Sequence, residues 1–142
     1  MKTYSEKMAQ LKAEFSQLNK NRRGKYEFSQ HQQAVYDYVI GKRSIVQFEV
    51  DGKQFFLKKG NSEFGFKHII MKHYSDDCVG CISARDILNI ANVVRFGREL
   101  SDIELNRGVN LGYEQVKDEK IFRVIFNKDR NGNFVVTFFS RD

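Results

Sequence analysis

The chain has 142 residues, with 24 Lys and Arg against 18 Asp and Glu for a net charge of +6, 13 Phe, 6 Tyr, 2 Cys, and neither Trp nor Pro. That length fits one domain that buries a core without disulfide or metal staples, and the aromatic content excludes a disordered chain. The longest apolar run, Ile121 to Phe126, is interrupted by Arg123 and is too short to span a bilayer, while the positive surplus favours a polyanionic partner about as well as it fits a solvated basic surface.

In chain order, Tyr4, Met8, Leu11, Phe15 and Leu18 recur at steps of four and three, which predicts a first helix with a narrow apolar seam. The seam fits packing on the body of the domain better than pairing with a second chain. Asn19 to Gly24 is polar, with Arg22 and Arg23 adjacent and Gly24 placed as a helix stop, so it reads as a linker. A second helix is predicted from Ser29 to Ile40, with Val35 and Val39 turned inward. Val46, Phe48 and Val50 alternate with polar residues up to Asp51-Gly52, the signature of a tight hairpin continuing through Phe55 and Leu57.

Past the Gly60 to Gly65 break, Phe66, Ile69, Ile70 and His73 mark one face of a third helix. Ser83 is placed to cap a fourth, with Ile87, Ile90, Ala91 and Val94 on one side. Strands are predicted at Leu111–Val116, Ile121–Asn127 and Phe134–Ser140, the last two joined at Asn131-Gly132. Counting back from that turn sets Arg123 opposite Ser140 and Phe126 opposite Thr137, and a bulge would shift these pairs by one. The expected fold class is α+β: N-terminal helices packed on a C-terminal antiparallel sheet of about four strands, with an additional early hairpin. Residues 1–41 read as a helical extension and 42–142 as the main unit.

Three groups of residues bear on chemistry. Lys67, His68, Lys72 and His73 crowd one short helix, and histidine exchanges protons near neutral pH. On a regular helix the two imidazoles diverge by about 140°, which disfavours a shared metal. The same spacing fits an ordinary amphipathic helix with His68 solvated and His73 in the core. Arg123 interrupts an apolar strand and either holds a phosphate with Ser140 or pairs with an acid such as Glu114 or Asp142. Lys128, Arg130 and Arg141 interleave with Phe134, Phe138 and Phe139 near the last hairpin, a mixture suited to RNA. Cys78 and Cys81 form a lone C-x-x-C, short of the ligands zinc wants. With no signal-peptide core near Met1 the expectation is a cytoplasmic protein with both thiols reduced.

From Val46 to Ser140 the order of a hairpin, a Gly65-Phe66-Lys67-His68-Ile69 helix start with a second histidine at His73, an amphipathic helix, and a terminal meander ending in Val135-Val136-Thr137 resembles the barnase/EndoU/colicin/RelE-like nucleases, closest to their phage- and mobile-element-associated branches. Phe138-Phe139-Ser140 follows where relatives often carry Tyr-Pro. The resemblance implies a metal- and cofactor-independent ribonuclease with its site on the sheet rim, His68 and His73 as the two histidines, and Thr137 at the last-strand hydroxyl position. It also implies a toxin role with an inhibitor or immunity protein as a further partner.

The mechanism expected from these residues is attack of the substrate's 2′-OH on the adjacent phosphorus. His68 moves the proton, with His73 as second candidate. Arg123 and Lys128 stabilise the phosphate, and Thr137 or Ser140 donates a hydroxyl hydrogen bond. Lys67, Lys72, Arg130 and Arg141 join Lys128 in holding RNA, and the protein acts as a monomer or weak dimer. The competing readings are a non-catalytic nucleic-acid-binding module and a protein-interaction domain using the first helix.

Overall fold

A computed structural model describes residues 2–18, 28–75, 78–105, 110–129 and 132–141. The predicted linker at Asn19 to Gly24, and Arg130, Asn131 and Asp142, lie outside the described residues.

Several of the described helices open on reciprocal caps, in which the side chain before the helix accepts a main-chain N–H and an acid or amide three residues on returns the bond. Thr3 and Glu6 do this for α1 (Tyr4–Gln17), Ser29 and Gln32 for α2 (Gln30–Val39), and Ser83 and Asp86 for α4 (Ala84–Leu88). The seam of α1 turns inward, with Leu11 and Phe15 fully buried, and they share one core with Val35, Val39 and the sheet. The single helix expected after Ser83 is two. Asn89 leaves helical geometry at φ −103° and ψ 23°, its side chain bonding the Arg85 carbonyl and accepting from Gln32, and α5 (Ile90–Phe96) starts afresh beyond it.

The early hairpin is β1 (Val46–Val50) and β2 (Lys53–Leu57), turned by Asp51 at φ 52° and Gly52 at φ 79°. The short β3 (Arg98–Glu99) and α6 (Asp102–Leu105) precede β4 (Asn110–Lys117), β5 (Lys120–Asp129) and β6 (Gly132–Arg141). Among the described residues the fold is α+β, and it corrects two details of the expected sheet. The hairpin is part of the same six-stranded sheet, in the order β1-β2-β6-β5-β4-β3, and the sheet is mixed because β2 and β6 run parallel. That junction is only Phe55↔Asn133 and Phe56↔Phe134, a pairing between distant segments that no local turn signal announces.

The register of the last hairpin also differs from expectation. Near the turn Lys128 pairs Asn133 and Phe126 pairs Val135, then an irregularity at Ile125/Phe126 leaves Val136 as the extra residue, so that Ile125 pairs Thr137 and Arg123 pairs Phe139. Ser140 therefore opposes Phe122, not Arg123. The helices cover one face of the sheet, where Phe122, Val124, Phe126, Val135 and Phe138 are buried. Phe55 anchors this layer with its ring 4.7 Å from Phe126 and 5.2 Å from Phe48. Arg123, Ile125, Asn127, Thr137 and Phe139 alternate onto the other face.

Beyond Phe134, β6 leaves β2, and its free edge takes two other partners: Gly65 N–H donates to the Val136 carbonyl at 2.9 Å, and Ser140 N–H donates to the Gly80 carbonyl at 3.3 Å. The start of α3 (Phe66–Lys72) and the cysteine turn thus fill the wedge that the departing strand opens. Cys78 and Cys81 are joined as a disulfide, against the expectation of free thiols. The glycine between them lets the chain fold back until their Cα atoms stand 5.3 Å apart, within disulfide reach. Among the described residues no helix is long and apolar enough to cross a membrane.

Candidate active site

The wedge beside β6 places the histidines. Gly65 sits at φ 88°, and a side chain there would come within 2.9 Å of Gly60 Cα and 3.0 Å of the Lys58 and Lys59 carbonyls. Only glycine lets α3 start so close to the end of β2, where Phe66 and Lys67 donate their N–H groups to those carbonyls at 2.9 and 2.8 Å. At the other end of α3 the Lys7 ammonium, reaching from α1, donates to the carbonyls of Ile70, Met71 and Tyr74, each at 3.1 Å. A cation at a helix C-terminus satisfies carbonyls that have no partner within the helix. Tyr74 is fixed as well, its hydroxyl bonding Glu14 of α1.

His68 and His73 come together. Their ring centroids are 5.2 Å apart and the rings meet edge to face. α3 stops at Lys72 and His73 stands at its cap with φ −118°, its N–H still bonded to the Ile69 carbonyl, and there the two rings meet instead of diverging as expected. Both rings are half-buried, so neither is wholly solvated or wholly in the core. His68 Nδ1 lies 2.9 Å from the Ser62 carbonyl, which can only accept, so Nδ1 carries the hydrogen and Nε2 is left for other partners. Burial, with help from the charges of His68, Lys72 and Lys7, pushes His73 down to about 4 against a weaker opposing hydrogen bond to the Gly80 main chain. His73 is thus neutral at neutral pH.

The pair adjoins the open face of the sheet through Phe139, whose ring centroid is 5.6 Å from that of His73. Thr137, two residues earlier on the same face, has an enclosed hydroxyl without a hydrogen-bond partner. Arg141 is exposed two residues later on that face.

Other sequence-predicted residues are placed differently. Arg123 lies across from Phe139 on the open face, yet its Nε donates to Glu114 Oε2 at 2.6 Å and its Nη2 is 3.7 Å from Glu104 Oε2. Arg98 bonds the same two acids at 3.0 and 2.7 Å. The acid pairing that the sequence left open for Arg123 is therefore made with Glu114, and the phosphate-holding geometry with Ser140 is not. Ser140 faces the helical side, is 5% exposed, and donates its Oγ hydrogen to the Cys81 carbonyl at 2.6 Å. The extra residue at Val136 is the reason. Lys128 alternates to the face opposite Arg123, about 17 Å along the strand from it, so the two cannot share one phosphate. Lys67 lies over the Tyr4 ring at 5.5 Å, and Lys72 is exposed next to His73. Arg130 lies outside the described residues.

Sequence reasoning missed the groove next to this face. A cleft of about 670 Å³ is lined by Lys58, Phe64, Asn110, Asn127, Phe134 and Val136 among others, with Lys58 Nζ 4.6 Å from the Phe134 ring centroid. Phe64 is 47% exposed at its lip. Lys7 and Gly80 were missed for the same reason: each acts through contacts made 63 to 67 residues away or through the main chain, and neither leaves a pattern in sequence. The chain matches no protein-family model and no curated protein.

Proposed function

We propose that this chain is a metal-independent endoribonuclease that cleaves RNA by 2′-OH transesterification at the His68–His73 pair. The observation that carries the reading is the meeting of two half-buried imidazoles at 5.2 Å beside an open sheet face that bears the unpartnered Thr137 hydroxyl. His73, kept neutral, takes the proton of the attacking 2′-OH. His68, held by Ser62 through Nδ1, protonates the departing 5′-oxygen from Nε2. Lys72 and Arg141, both exposed, supply positive charge around the phosphate, and Thr137, its hydroxyl enclosed beneath this face, is the hydroxyl that a shift of the face would turn to a non-bridging oxygen. The groove at Phe64, Phe134 and Asn127 receives the neighbouring nucleotide. Lys67 and Lys128 serve the flanking backbone in this reading, which is set in the cytoplasm, and an inhibitor or immunity protein is its further partner.

A second reading is a non-catalytic nucleic-acid-binding module, favoured by the commitment of Arg123 to Glu114, which among the described residues leaves the middle of the open face without a free guanidinium. The use of the first helix as a docking surface loses support, because Leu11 and Phe15 are fully buried in the chain's own core. The test is incubation of the purified protein with RNA in EDTA. Products ending in 2′,3′-cyclic phosphate, lost in both His68→Ala and His73→Ala, support the nuclease; retention of uncut RNA supports the module.

A further inference from the structure

The cysteine turn touches the histidine pair directly. Ile82, next to Cys81, donates its N–H to the His73 carbonyl at 2.8 Å and forms a parallel bridge with Tyr74, the residue after His73. On the other side the Gly80 and Cys81 carbonyls take the Ser140 N–H at 3.3 Å and the Ser140 Oγ hydrogen at 2.6 Å. The disulfide spans this turn, and only two residues, Val79 and Gly80, lie between the two cysteines. Cys78 is exposed while Cys81 is 6% exposed, and Val79 at the tip is 83% exposed, so its side chain gives the tip almost no packing.

We infer that the Cys78–Cys81 disulfide is a site of reversible thiol–disulfide exchange whose reduction loosens the turn carrying Gly80 and thereby switches the His68–His73 pair off. The loss of cleavage rests on the ribonuclease reading; the exchange and its effect on the ring do not. A dithiol reductant supplies the two electrons. Its thiolate attacks the exposed Cys78 Sγ, the S–S bond breaks, and Cys81 leaves as a thiolate and takes up a proton. The second thiol of the reductant then attacks the mixed disulfide and expels Cys78, which is protonated in turn, and the reductant departs as its own disulfide.

Two unbonded sulfurs cannot remain at bonding distance, so they part by on the order of 1–2 Å and the turn loses the covalent link that holds its backbone against a shift. Hydrogen bonds of 2.6 to 3.3 Å do not survive such a shift unaltered. Ser140 is on this view a positioning residue, acting on His73 through the turn.

The test uses the full chain labelled with ¹⁵N-histidine and equilibrated with oxidised or reduced dithiothreitol, with alkylation and mass measurement counting the thiols. In the oxidised protein the His73 ring nitrogens should report one fixed tautomer and the Ser140 amide should exchange slowly. In the reduced protein the tautomers should average, Ser140 should exchange faster, and RNA cleavage should fall by roughly tenfold to a hundredfold, as expected when a proton-transfer group is misplaced. Cys78→Ser/Cys81→Ser should match the reduced protein under both conditions; if that variant does not fold, the two states of the natural chain decide alone. Identical ring and amide signals in the two states, or no disulfide at any dithiothreitol ratio, overturn the inference. If neither state cuts RNA, the ribonuclease reading fails while the ring signals still decide the switch.

Discussion

The two faces of the β5–β6 ribbon come from the same strands and differ in almost every respect. One carries Phe122, Val124, Phe126 and Phe138 into a core at most 6% exposed, and the other carries Arg123, Asn127 and Thr137 beside the paired histidines. Alternation along a strand lets one segment build a core on one side and an open polar face on the other, provided the register holds. The extra residue at Val136 keeps Phe138 on the core face and Thr137 on the open one, while placing Ser140 inside.

The comparison is broken most severely on the core face. Phe126→Ala removes a ring fully buried against Phe55 and should cost about 3–5 kcal/mol, read as a lowered urea midpoint.

Next comes acid. Burial, aided by the Arg95 charge, holds His31 at about 4, below its ordinary 6.5. The unfolded chain therefore binds a proton that the folded chain refuses. The stabilisation is fully present above pH 6.5 and is lost as pH falls towards 4, by about 3 kcal/mol. His73 adds a smaller loss of the same sign over the same interval because solvent reaches its ring. Urea titrations at pH 7 and pH 4 measure the sum, and His31→Gln should flatten most of it. A stability unchanged between these pH values would contradict both assignments.

Gly65→Ala strikes the hinge between the faces. It forces a side chain into left-handed backbone and onto Gly60, so a loss of about 1–3 kcal/mol is expected, since α3 can no longer start against β2, and the proposed ribonuclease reading adds reduced cleavage. Val116→Thr, on the open face and 70% exposed, should change stability by less than about 0.5 kcal/mol. A larger loss at Val116 than at Phe126 would invert the roles given to the two faces.

Much of this was legible in the residues. The α1 seam, the Asp51-Gly52 turn and the strand alternation appear where their periods and turn chemistry place them. What escaped is non-local. The two-residue parallel contact of β2 with β6 has no sequence signal, and the helix break at Asn89 is bonded to Gln32, 57 residues away. At the candidate site, Gly65-Phe66-Lys67-His68 starts a helix as expected, but the geometry of the two histidines hung on where α3 stops. His73 stands at the cap with φ −118°, and its ring meets that of His68 where the regular spacing predicts divergence. Arg123 was visible as an anomaly in an apolar strand, and its partner became clear only once β4 set Glu114 opposite it.

The Lys7 ammonium has a consequence for any shortened version of the chain. Trimming the leading helix removes Leu11 and Phe15 from the interior and also takes away the donor shared by the Ile70, Met71 and Tyr74 carbonyls. A fragment beginning after that helix inherits His73 on an unanchored stem, and its failure to act on any substrate would reflect the lost tether rather than the chemistry of the imidazoles.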